Sequence, residues 1–592
     1  MSKFFITNSS SLFNKVKQSV EISEYEKAFE YSGGGIFALS TKKLKIDNVN
    51  GAKCSDGFAI VTGTMAWGDG ESITPTSLQK IYQVFDGNVD IVRKNSIGNY
   101  AAAIYKGGTL YVFGEITGFY NIYYYNDDNV WLVSNSLYDM AFCLGNHVSL
   151  NKLAFIESTI QDGILLDDTF FNEIHRLSGF NSLYLADNKL HIKVNEYYYR
   201  MALTPLSDKL KDFVGLQRTF ALKMAKGYGA PTISMTGGLD ARMTMSSYLA
   251  AGIHPSLYYG TGNSFITNTH NEDKEIDEIF SKKFDLEFFD ESWNTPEPID
   301  KYWDSLLNIF GFHYDSYAGS QDFIESICNN PNDLFTYGYC GELYRNLPWI
   351  EGRKKDYFTI DEYINEVYIT HQLKSVIIKF EEYYDYIKAK QLRICEYYRL
   401  NPNHIANEDI FYLSLERRKS ADACVLNHVN FIKYCCYTIG QYESLTAGRV
   451  SCKEASNSGF MLRCLDALYP EVLDVPVFSH QVFREFHRET MSLEAENNAK
   501  FSLKSRLKGL IVEKFPWTIQ AIRAVRGTKM QWRFANDEQI FKRVQSLYEQ
   551  YNLINLIHGQ KIEDPRRLVN YVMKVYALNR LGLLKENEPI AK

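Results

Sequence analysis

The sequence predicts two dissimilar folding units: an α+β sandwich in residues 1–200, and a doubly wound parallel α/β sheet in residues 205–592 with a large helical extension. Three observations support this prediction. Short aromatic and β-branched runs separated by turn residues fill the first third. After Leu203 such runs alternate with helical spacing, as they do in parallel sheets. From about Trp293, and throughout 330–592, the spacing is almost wholly helical.

Length and composition place the chain among soluble multi-domain proteins. Its 592 residues exceed the size of a single core, since domains usually hold about 100–200 residues. Hydrophobic residues make up 45% and charged residues 23%, which excludes general disorder. The 64 basic residues against 71 acidic ones give a net charge of −7. We therefore expect no nucleic-acid partner, because such proteins usually carry a basic excess.

The cysteines and the apolar runs indicate a reducing compartment. None of the ten cysteines forms a C-x-x-C pair, which disfavours zinc ribbons and thioredoxin-type sites. We expect mostly buried, reduced thiols. The first residues lack the pattern of a signal peptide, and no window offers about 18 continuous apolar residues. The expected location is the cytoplasm.

The predicted elements of the first unit are short strands with two helical interruptions. The strands are expected at Gly57–Thr62, Asn99–Tyr105, Thr109–Phe113, Asn121–Tyr125 and Val130–Ser134, with a hairpin between Asn181 and Tyr199. The helices are expected near Thr76–Phe85 and Lys152–Thr159. The result is a sandwich-type unit that ends near residue 195.

The second unit begins with alternating helices and strands. Helices are expected at Ser207–Lys226, Ala241–Ala251 and Asp273–Phe284, and strands at Thr232–Met235, Ser256–Tyr259 and Leu286–Phe289. This alternation predicts a parallel sheet whose strand ends lie at one edge.

The run Pro231–Gly252 carries the strongest chemical signal. A strand feeds a Thr-Gly-Gly-Leu-Asp turn that opens a helix, and glycines there allow positive φ and a close approach of N–H groups to an anion. The helix N-terminus favours phosphate at the same point. We therefore expect nucleotide contacts from Thr236, Gly237, Gly238 and Leu239. Because the carboxylate of Asp240 would repel a bare phosphate, it implies a bridging Mg²⁺. Taken alone, a tight strand–helix connection explains the turn equally well.

This run resembles the Ser-Gly-Gly-x-Asp-Ser pyrophosphate loop of the asparagine synthetase-like ATP pyrophosphatases. Thr236 stands for the first Ser and Ala241 for the second, and the missing hydroxyl at Ala241 should cost about 1–2 kcal/mol of pyrophosphate contact. Arg242, which follows the loop, resembles an Arg of the synthetase-like members and would partly compensate. Tyr259–Ser264 (YGTGNS) resembles the family's adenosine loop, which implies nucleotide contacts from Gly260 and Ser264.

Tyr337–Arg345 (YGYCGELYR) resembles the family's later acidic loop, Gly-Asp/Glu-Gly-x-Asp-Glu. Glu342 falls on the metal-binding acid, and Gly338 and Gly341 supply the tight backbone beside the nucleotide. The sequence departs from the pattern at Tyr339 and Cys340, where an acid and a Gly are expected. A surface acid is the alternative interpretation of Glu342.

The N-terminal unit resembles the class II glutamine amidotransferases, which have an N-terminal-nucleophile fold. The similar segments are Gly98–Ser134 and Asp168–Leu177. The family's nucleophile is a Cys at position 2, where this chain has Ser2 followed by Lys3. The Asn-Gly-Glu segment that holds glutamine is absent, and Gly63–Gly68 (GTMAWG) stands about where it should be. We expect a degenerate, inactive glutaminase unit.

Together these resemblances imply an ATP- and Mg²⁺-dependent ligase that adenylates a small-molecule or peptide carboxylate, releases pyrophosphate and passes the acyl group to an amine or ammonia. Catalytic roles fall to Asp240, Glu342 and Arg242, and metal binding to Asp240 and Glu342. Arg417, Arg418, Arg449 and Lys453 are candidates for the cation that contacts the transferred phosphate. Without a glutaminase, the chain is more similar to relatives that cyclise peptides or β-amino acids, or amidate sugar acids in surface-polysaccharide pathways, than to asparagine synthetase itself.

Two other functions remain open. A catalytically inactive nucleotide-binding or scaffold homologue is favoured by Ser2, Ala241, Tyr339 and Cys340. A true glutamine-hydrolysing asparagine synthase would use Ser2 as nucleophile. The stretch from Lys500 to Arg533 holds nine basic residues and one acid. It is either a peripheral contact with a membrane-linked substrate or a solvated helix face.

Overall fold

The computed structural model describes residues 2–23, 25–195, 206–260, 271–291, 303–313, 321–346, 350, 355–369, 371–476, 538–551, 554–562 and 565–584. The predicted basic stretch of 500–533 and Ser264 lie outside these residues. Within them, no helix is both long enough and apolar enough to cross a membrane. None of the ten cysteines forms a disulfide there, and six of them are buried, as the sequence predicts.

The first unit is a mixture of antiparallel strands and helices. Its strands are β1 (Phe4–Thr7), β2 (Lys27–Gly33), β3 (Ile36–Thr41), β4 (Gly51–Cys54), β5 (Gly57–Trp67), β6 (Ser96–Lys106), β7 (Thr109–Gly114), β8 (Tyr123–Asn126), β9 (Trp131–Ser134), β10 (His175–Arg176), β11 (Ser182–Ala186) and β12 (Lys189–Lys193). Its helices are α1 (Ser10–Ile22), α2 (Pro75–Val84), α3 (Val89–Lys94), α4 (Leu137–Leu144) and α5 (Lys152–Gln161).

These strands form two antiparallel sheets of six described strands each, in the orders β10-β8-β9-β1-β3-β2 and β12-β11-β7-β6-β5-β4. The predicted strands and both predicted helices are confirmed within a few residues. The expectation of only two helices was wrong, because α1, α3 and α4 are also present.

The directions in which side chains point along the strands show that the two sheets lie between two helical layers. Tyr31 of β2 and Phe29 contact the ring of Phe58 in the other sheet, at 4.9 and 6.0 Å between ring centroids. Phe37 of β3 has the opposite orientation and contacts Phe13 of α1. The far face of the second sheet packs on α2 and α3 in a separate core. The unit therefore has four layers, helix–sheet–sheet–helix.

The second unit consists of helices around a parallel sheet. Its strands are β13 (Thr232–Ser234), β14 (Ser256–Gly260), β15 (Phe288–Glu291), β16 (Leu334–Tyr337), β17 (Tyr357–Phe358), β18 (Ile405–Ala406) and β19 (Tyr434–Cys435). Its helices are α6 (Leu206–Tyr228), α7 (Leu239–Ala250), α8 (Asn271–Phe284), α9 (Trp303–Phe310), α10 (Gln321–Asn329), α11 (Ile360–Tyr363), α12 (His371–Lys374), α13 (Phe380–Tyr398), α14 (Ile410–Ile432), α15 (Tyr442–Ala447), α16 (Cys452–Ala455), α17 (Gly459–Leu468), α18 (Glu538–Tyr551) and α19 (Pro565–Arg580).

Five of these strands form the predicted parallel sheet, in the order β15-β14-β13-β16-β19. The expectation that the chain is almost wholly helical after Trp293 missed four short strands, since β16 and β19 join this sheet and β17 and β18 pair with each other. Strands β16 and β19 have only four and two residues. Such short strands are hidden from sequence patterns because period-2 alternation needs a longer run to be recognised.

A buried polar joint connects the second antiparallel sheet to the parallel sheet. Asn430, at the end of α14, is 0% exposed. Its Oδ1 accepts hydrogen bonds from Thr64 Oγ1 of β5 at 2.8 Å and from Lys43 Nζ at 3.2 Å. Its amide group donates to the carbonyl oxygens of Leu426 and Cys435, both at 2.9 Å. This one side chain therefore holds two sheets and a helix end together.

We predict that Asn430→Ala lowers the free energy of unfolding by about 2–5 kcal/mol. The substitution leaves Thr64, Lys43 and Cys435 with buried polar groups that lose a partner, and each such loss costs about 1–3 kcal/mol. Chemical denaturation of the full chain measures the change. Asn403→Ala, at an exposed position of the same unit, is the matched control and should change stability by less than about 0.5 kcal/mol. Equal effects of the two substitutions would contradict the joint.

Candidate functional site

The candidate site lies where neighbouring parallel strands end. Strand β13 lies between β14 and β16, and the three run in the same direction. The Thr236–Asp240 loop follows β13, and the Gly338–Glu342 loop follows β16. Because the carboxyl ends of parallel strands meet at one edge of a sheet, the two predicted loops become neighbours, which is the usual place for a ligand in an open α/β sheet.

The Gly-Gly turn leads directly into a helix N-terminus. Thr236 is exposed, and Gly238 occupies the N-cap position of α7 without a side-chain cap. The N–H of Gly237 donates to Asp273 Oδ1 at 2.5 Å, and the N–H of Gly238 faces Thr236 Oγ1 at 3.4 Å. The remaining N–H groups of the first turn of α7 suit an anion. Asp273 competes with an anion for the N–H of Gly237.

The sequence had suggested positive φ angles at Gly237 and Gly238. In the structure, the glycines of the two loops instead allow the backbones to approach closely. Gly238 has φ −74°, and Gly237 is not among the positive-φ glycines. A Cβ on Gly338 would lie 2.3 Å from the backbone N of Ala241. A Cβ on Gly341 would lie 2.1 Å from Cγ of Asp240. The two loops therefore touch only because these positions lack a side chain.

Cys340 adopts a conformation that glycine favours. Its φ is 77° and its ψ is −1°, in the left-handed region. A non-glycine residue in this region costs roughly 1–2 kcal/mol. Cys340 is one of the two positions at which the sequence analysis noted a departure from the expected pattern, with Gly as the expected residue. The Cys340 side chain is fully buried, with its sulfur 3.9 Å from Asp422 Oδ2.

Asp240 and Glu342 lie close together, and each faces an arginine. Asp240 Oδ2 is 3.7 Å from Arg345 Nη2, and Glu342 Oε1 is 3.0 Å from Arg418 Nη2. Asp240 Oδ1 is buried and has no hydrogen-bond partner among the described residues. Burial raises the pKa of the Asp240 carboxyl to about 6. The negative charge of Glu342 adds to this rise, whereas the positive charge of Arg345 partly opposes it.

Asp422 and Arg345 are site residues that the sequence analysis missed. Asp422 is buried on α14, one turn after Arg418, and its Oδ1 is 3.2 Å from Arg418 Nη1. Burial raises the pKa of Asp422 to about 6. No short-range pattern marks Asp422, because it is about 80 residues from Glu342 in sequence. Arg345 could have been noticed, since it ends the acidic-loop segment. Of the four candidate cations, Arg418 is the one at these acids, whereas Arg449 binds Asp409.

Arg242 does not face this cluster. Its side chain is 0% exposed, and its Nη1 donates to the carbonyl oxygens of Val472 and Val475 at 2.9 and 2.8 Å. It also donates to the carbonyls of Pro476 and Gly237. The arginine therefore ties the Gly-Gly turn to the 472–476 segment. This geometry is that of a positioning residue, and its predicted catalytic role remains a prediction.

Behind Arg242 lies a pair of buried acids on α8. Asp273 and Asp277 are one turn apart, and both are at most 1% exposed. Neither carboxylate oxygen of Asp277 has a hydrogen-bond partner among the described residues. Burial, together with the charge of Asp273, raises the pKa of Asp277 to about 9. Asp277 is therefore protonated at neutral pH, which limits the negative charge beneath the loop.

The other predicted nucleotide contacts are placed only in part. Gly260 ends β14 at the same edge of the sheet, in register with Glu291. The side chain of Leu239 packs in the main hydrophobic core, so only its backbone is available to a ligand. Ser264 lies outside the described residues. The nucleotide roles of these residues remain predictions.

Ser2, the candidate nucleophile of the first unit, is enclosed. It is 1% exposed, and its carbonyl oxygen accepts a hydrogen bond from Asn135 Nδ2 at 3.0 Å. Next to it, Lys3 Nζ contacts Asp139 Oδ2 at 2.8 Å and the carbonyl oxygen of Asn308 at 2.7 Å. Asn308 belongs to α9, so a helix of the second unit covers this end of the first unit.

The donor set fits one divalent cation of the Mg²⁺ type. Mg²⁺ is commonly bound by one or two carboxylates together with substrate phosphates. Asp240 offers a buried oxygen without a partner, and Glu342 is the second carboxylate nearby. No group of three or more metal-ligating side chains exists among the described residues. Two carboxylates leave most positions of such a cation to phosphate oxygens and water.

Comparisons with known proteins give little further information. No protein-family model and no curated protein matches the chain. Among solved structures, a glutamine phosphoribosylpyrophosphate amidotransferase from B. subtilis, complexed with ADP and GMP, has a TM-score of 0.23 at 9% identity and covers 54% of this chain and 95% of that chain. An allosteric regulatory enzyme of purine biosynthesis has a TM-score of 0.22 at 9% identity, covering 46% and 69%. Similarity at these TM-scores does not establish a shared fold.

We predict that Asp240→Asn stabilises the protein above pH 6 but not below pH 4. The folded-state pKa of Asp240, about 6, exceeds the unfolded value of about 3.9, so the folded state binds more protons between these pH values. The wild-type free energy of unfolding therefore falls as pH rises from 4 to 6. The variant lacks this loss and should be more stable by about 2–3 kcal/mol at pH 7.

Chemical denaturation at a series of pH values measures this difference. Asp385→Asn, at an exposed position of α13, is the control, and its difference from wild type should not depend on pH in this range. A constant difference between Asp240→Asn and wild type from pH 4 to pH 7 would contradict the assignment.

Proposed function

We propose that the protein is an ATP-dependent amide-forming ligase of the asparagine synthetase-like type, with an inactive glutaminase unit. The observation that carries this proposal is the meeting of Asp240 and Glu342, from two separate loops, beside the uncapped N-terminus of α7 at the edge of the parallel sheet. A loop that binds only an anion gains nothing from two carboxylates. Two carboxylates beside a phosphate site make chemical sense when a cation joins them to the phosphates.

The first turn of α7 and the Thr236 hydroxyl would bind the pyrophosphate part of ATP. The helix N-terminus offers N–H donors and a partial positive charge, which favour phosphate over neutral ligands. Arg242 would support this binding indirectly, because it fixes the turn against the 472–476 carbonyls. A Mg²⁺ held by Asp240 and Glu342 would neutralise charge on the leaving pyrophosphate.

The proposed reaction has two steps. An oxygen of the substrate carboxylate attacks the α-phosphorus of ATP, the bond from that phosphorus to the bridging oxygen breaks, and pyrophosphate leaves with an acyl-adenylate remaining. The nitrogen of an amine or of ammonia then attacks the acyl carbon, and AMP leaves as the amide forms. Arg345 and Arg418 carry the positive charge nearest to the acids and are suited to hold the phosphate groups as charge moves onto the leaving group.

The amine would not come from glutamine in this proposal. The enclosure of Ser2 by Asn135 and by the α9 contact of Lys3 supports a scaffold role for the first unit. Its four-layer arrangement is consistent with the expected N-terminal-nucleophile-like fold. We therefore expect free ammonia or a substrate amine as acceptor.

A second candidate function is an inactive nucleotide-binding homologue. It is favoured by the pairing of each acid with an arginine of the same chain, which satisfies both charges without a metal. In that case the acids stabilise the loops only, and the cluster has no need of a cation. Binding without turnover distinguishes this candidate from the ligase.

We predict that the purified chain releases pyrophosphate from ATP–Mg²⁺ in the presence of one member of a carboxylate panel with ammonia. Asp240→Asn and Glu342→Gln should each lower this rate by at least 100-fold, because each removes a carboxylate that would hold the Mg²⁺ that neutralises the leaving pyrophosphate. Glu396→Gln, at an exposed position of α13, should leave the rate within twofold of wild type. A coupled pyrophosphate assay gives the rates.

Tight ATP binding without pyrophosphate release would support the inactive homologue. The absence of both ATP binding and pyrophosphate release would reject the site itself. We also expect no glutamate release from glutamine and no effect of Ser2→Ala on the ammonia-dependent rate. Glutamate release that depends on Ser2 would contradict the inactive glutaminase.

A further inference from the structure

A cavity of about 230 Å³ lies between the two units, apart from the candidate nucleotide site. Residues of both units form its wall. The first unit contributes segments around Asn121, Asp162 and Asp168, and the second contributes α14 and α19. Helix α14 separates the two sites, since Arg418 and Asp422 lie on one face and Ser420 and Cys424 on the other.

The cavity wall holds two buried hydrogen-bond acceptors that have no donor among the described residues. Asn121 is 6% exposed, and its side chain shares a hydrogen bond with the hydroxyl of Tyr123, but its Oδ1 has no hydrogen-bond partner among the described residues. Asn570 of α19 lines the same cavity, and its Oδ1 is likewise buried without a partner in the part of the chain that the structure describes. A buried polar oxygen without a partner costs roughly 1–3 kcal/mol. Two such oxygens in one cavity indicate a ligand or ordered water that carries N–H or O–H groups.

The same wall carries positive charge. Arg176 lines the cavity, and its hydrogen bonds go to neutral oxygens, namely the carbonyls of Ile164 and Leu166 and the hydroxyl of Ser420. Arg567 and Lys574 lie on the cavity-facing side of α19, with Asn570 between them in sequence. The charge of buried Glu416 also acts on Arg176, but no hydrogen bond or ion pair joins these two among the described residues, so the guanidinium still favours an anion on its cavity side.

Two acids also line the cavity, and each lies near a basic residue. Asp168 Oδ2 is 3.1 Å from Lys390 Nζ and accepts a hydrogen bond from the hydroxyl of Tyr386 at 2.7 Å. Asp162 is 4.0 Å from Arg567. His313 is neutral, because burial lowers its pKa to about 4. The wall therefore offers both cationic and acceptor groups, which together complement a zwitterion.

We propose that this cavity is a binding site for a small amino acid. The ligand carboxylate would face Arg176 and the basic residues of α19, and its ammonium group would donate to the Oδ1 atoms of Asn121 and Asn570. The volume supports this size, because pockets for drug-sized ligands hold about 300–1,000 Å³. The site does not depend on the proposed ligase reaction.

The test is equilibrium binding to the full-length chain at constant ionic strength. The probes are the protein L-amino acids, one at a time, and then the carboxylic acid that lacks the amine of the best binder. We expect saturable binding of at least one amino acid, with binding at least tenfold weaker for the matched acid. Calorimetry or ligand-dependent thermal unfolding measures both.

Variants locate the site. Asn570→Leu and Arg176→Met should each weaken binding at least tenfold, whereas Asn579→Leu, the same change at an exposed position of α19, should leave it within twofold. If Arg176→Met does not fold, Asn570→Leu alone tests the site. Asp240→Asn should also retain binding, which separates this site from the nucleotide site. Binding of no amino acid would overturn the proposal and leave a water-filled cavity. Binding that is unchanged by Asn570→Leu would overturn it equally, by placing the ligand elsewhere.

Discussion

The buried polar joint around Asn430 is the interaction on which the rest of the arrangement depends. Thr64 of β5 donates to Asn430 and also accepts a hydrogen bond from the N–H of Cys435 at 2.8 Å. A second joint lies beside it, where Asn99 Oδ1 accepts from the N–H of Tyr437 at 2.9 Å. Because these groups are buried, each must meet a specific partner, and apolar packing alone would allow the units to slide. The polar pairs fix one relative position of sandwich and parallel sheet.

Helix α14 extends from this joint to both candidate sites. Asn430 lies twelve residues after Arg418, which is about 18 Å along a helix. The joint therefore anchors one end of α14, while Arg418 and Asp422 reach the acids of the sheet edge and Ser420 and Cys424 line the other cavity. The wall between the two sites is therefore one helix that is anchored on the N-terminal unit.

The sheet-edge cluster combines stability with a site for charge. Burial raises the pKa of Asp240 and of Asp422 to about 6, so both are held ionised at neutral pH at a cost in stability. Arg345 and Arg418 reduce that cost. Functional sites commonly show such perturbed carboxyls, because selection for function outweighs the stability lost. Asp277, protonated beneath the loop, keeps the local negative charge from growing further.

The sequence by itself determined most strands of the first third, the strand–helix alternation after residue 205 and the loops that carry Asp240 and Glu342. These features depend on local patterns, such as alternating aromatic residues and a Gly-Gly turn between a strand and a helix. It missed β16 and β19, which are too short to leave a pattern.

Only the tertiary structure decided which side chains meet. Arg418 and Asp422 reach the Glu342 loop from about 80 residues away, Arg242 turns toward the 472–476 carbonyls, and Asn121 and Asn570 line one cavity. Contacts between distant segments depend on packing and on buried partners, and neither is written in any single stretch of sequence.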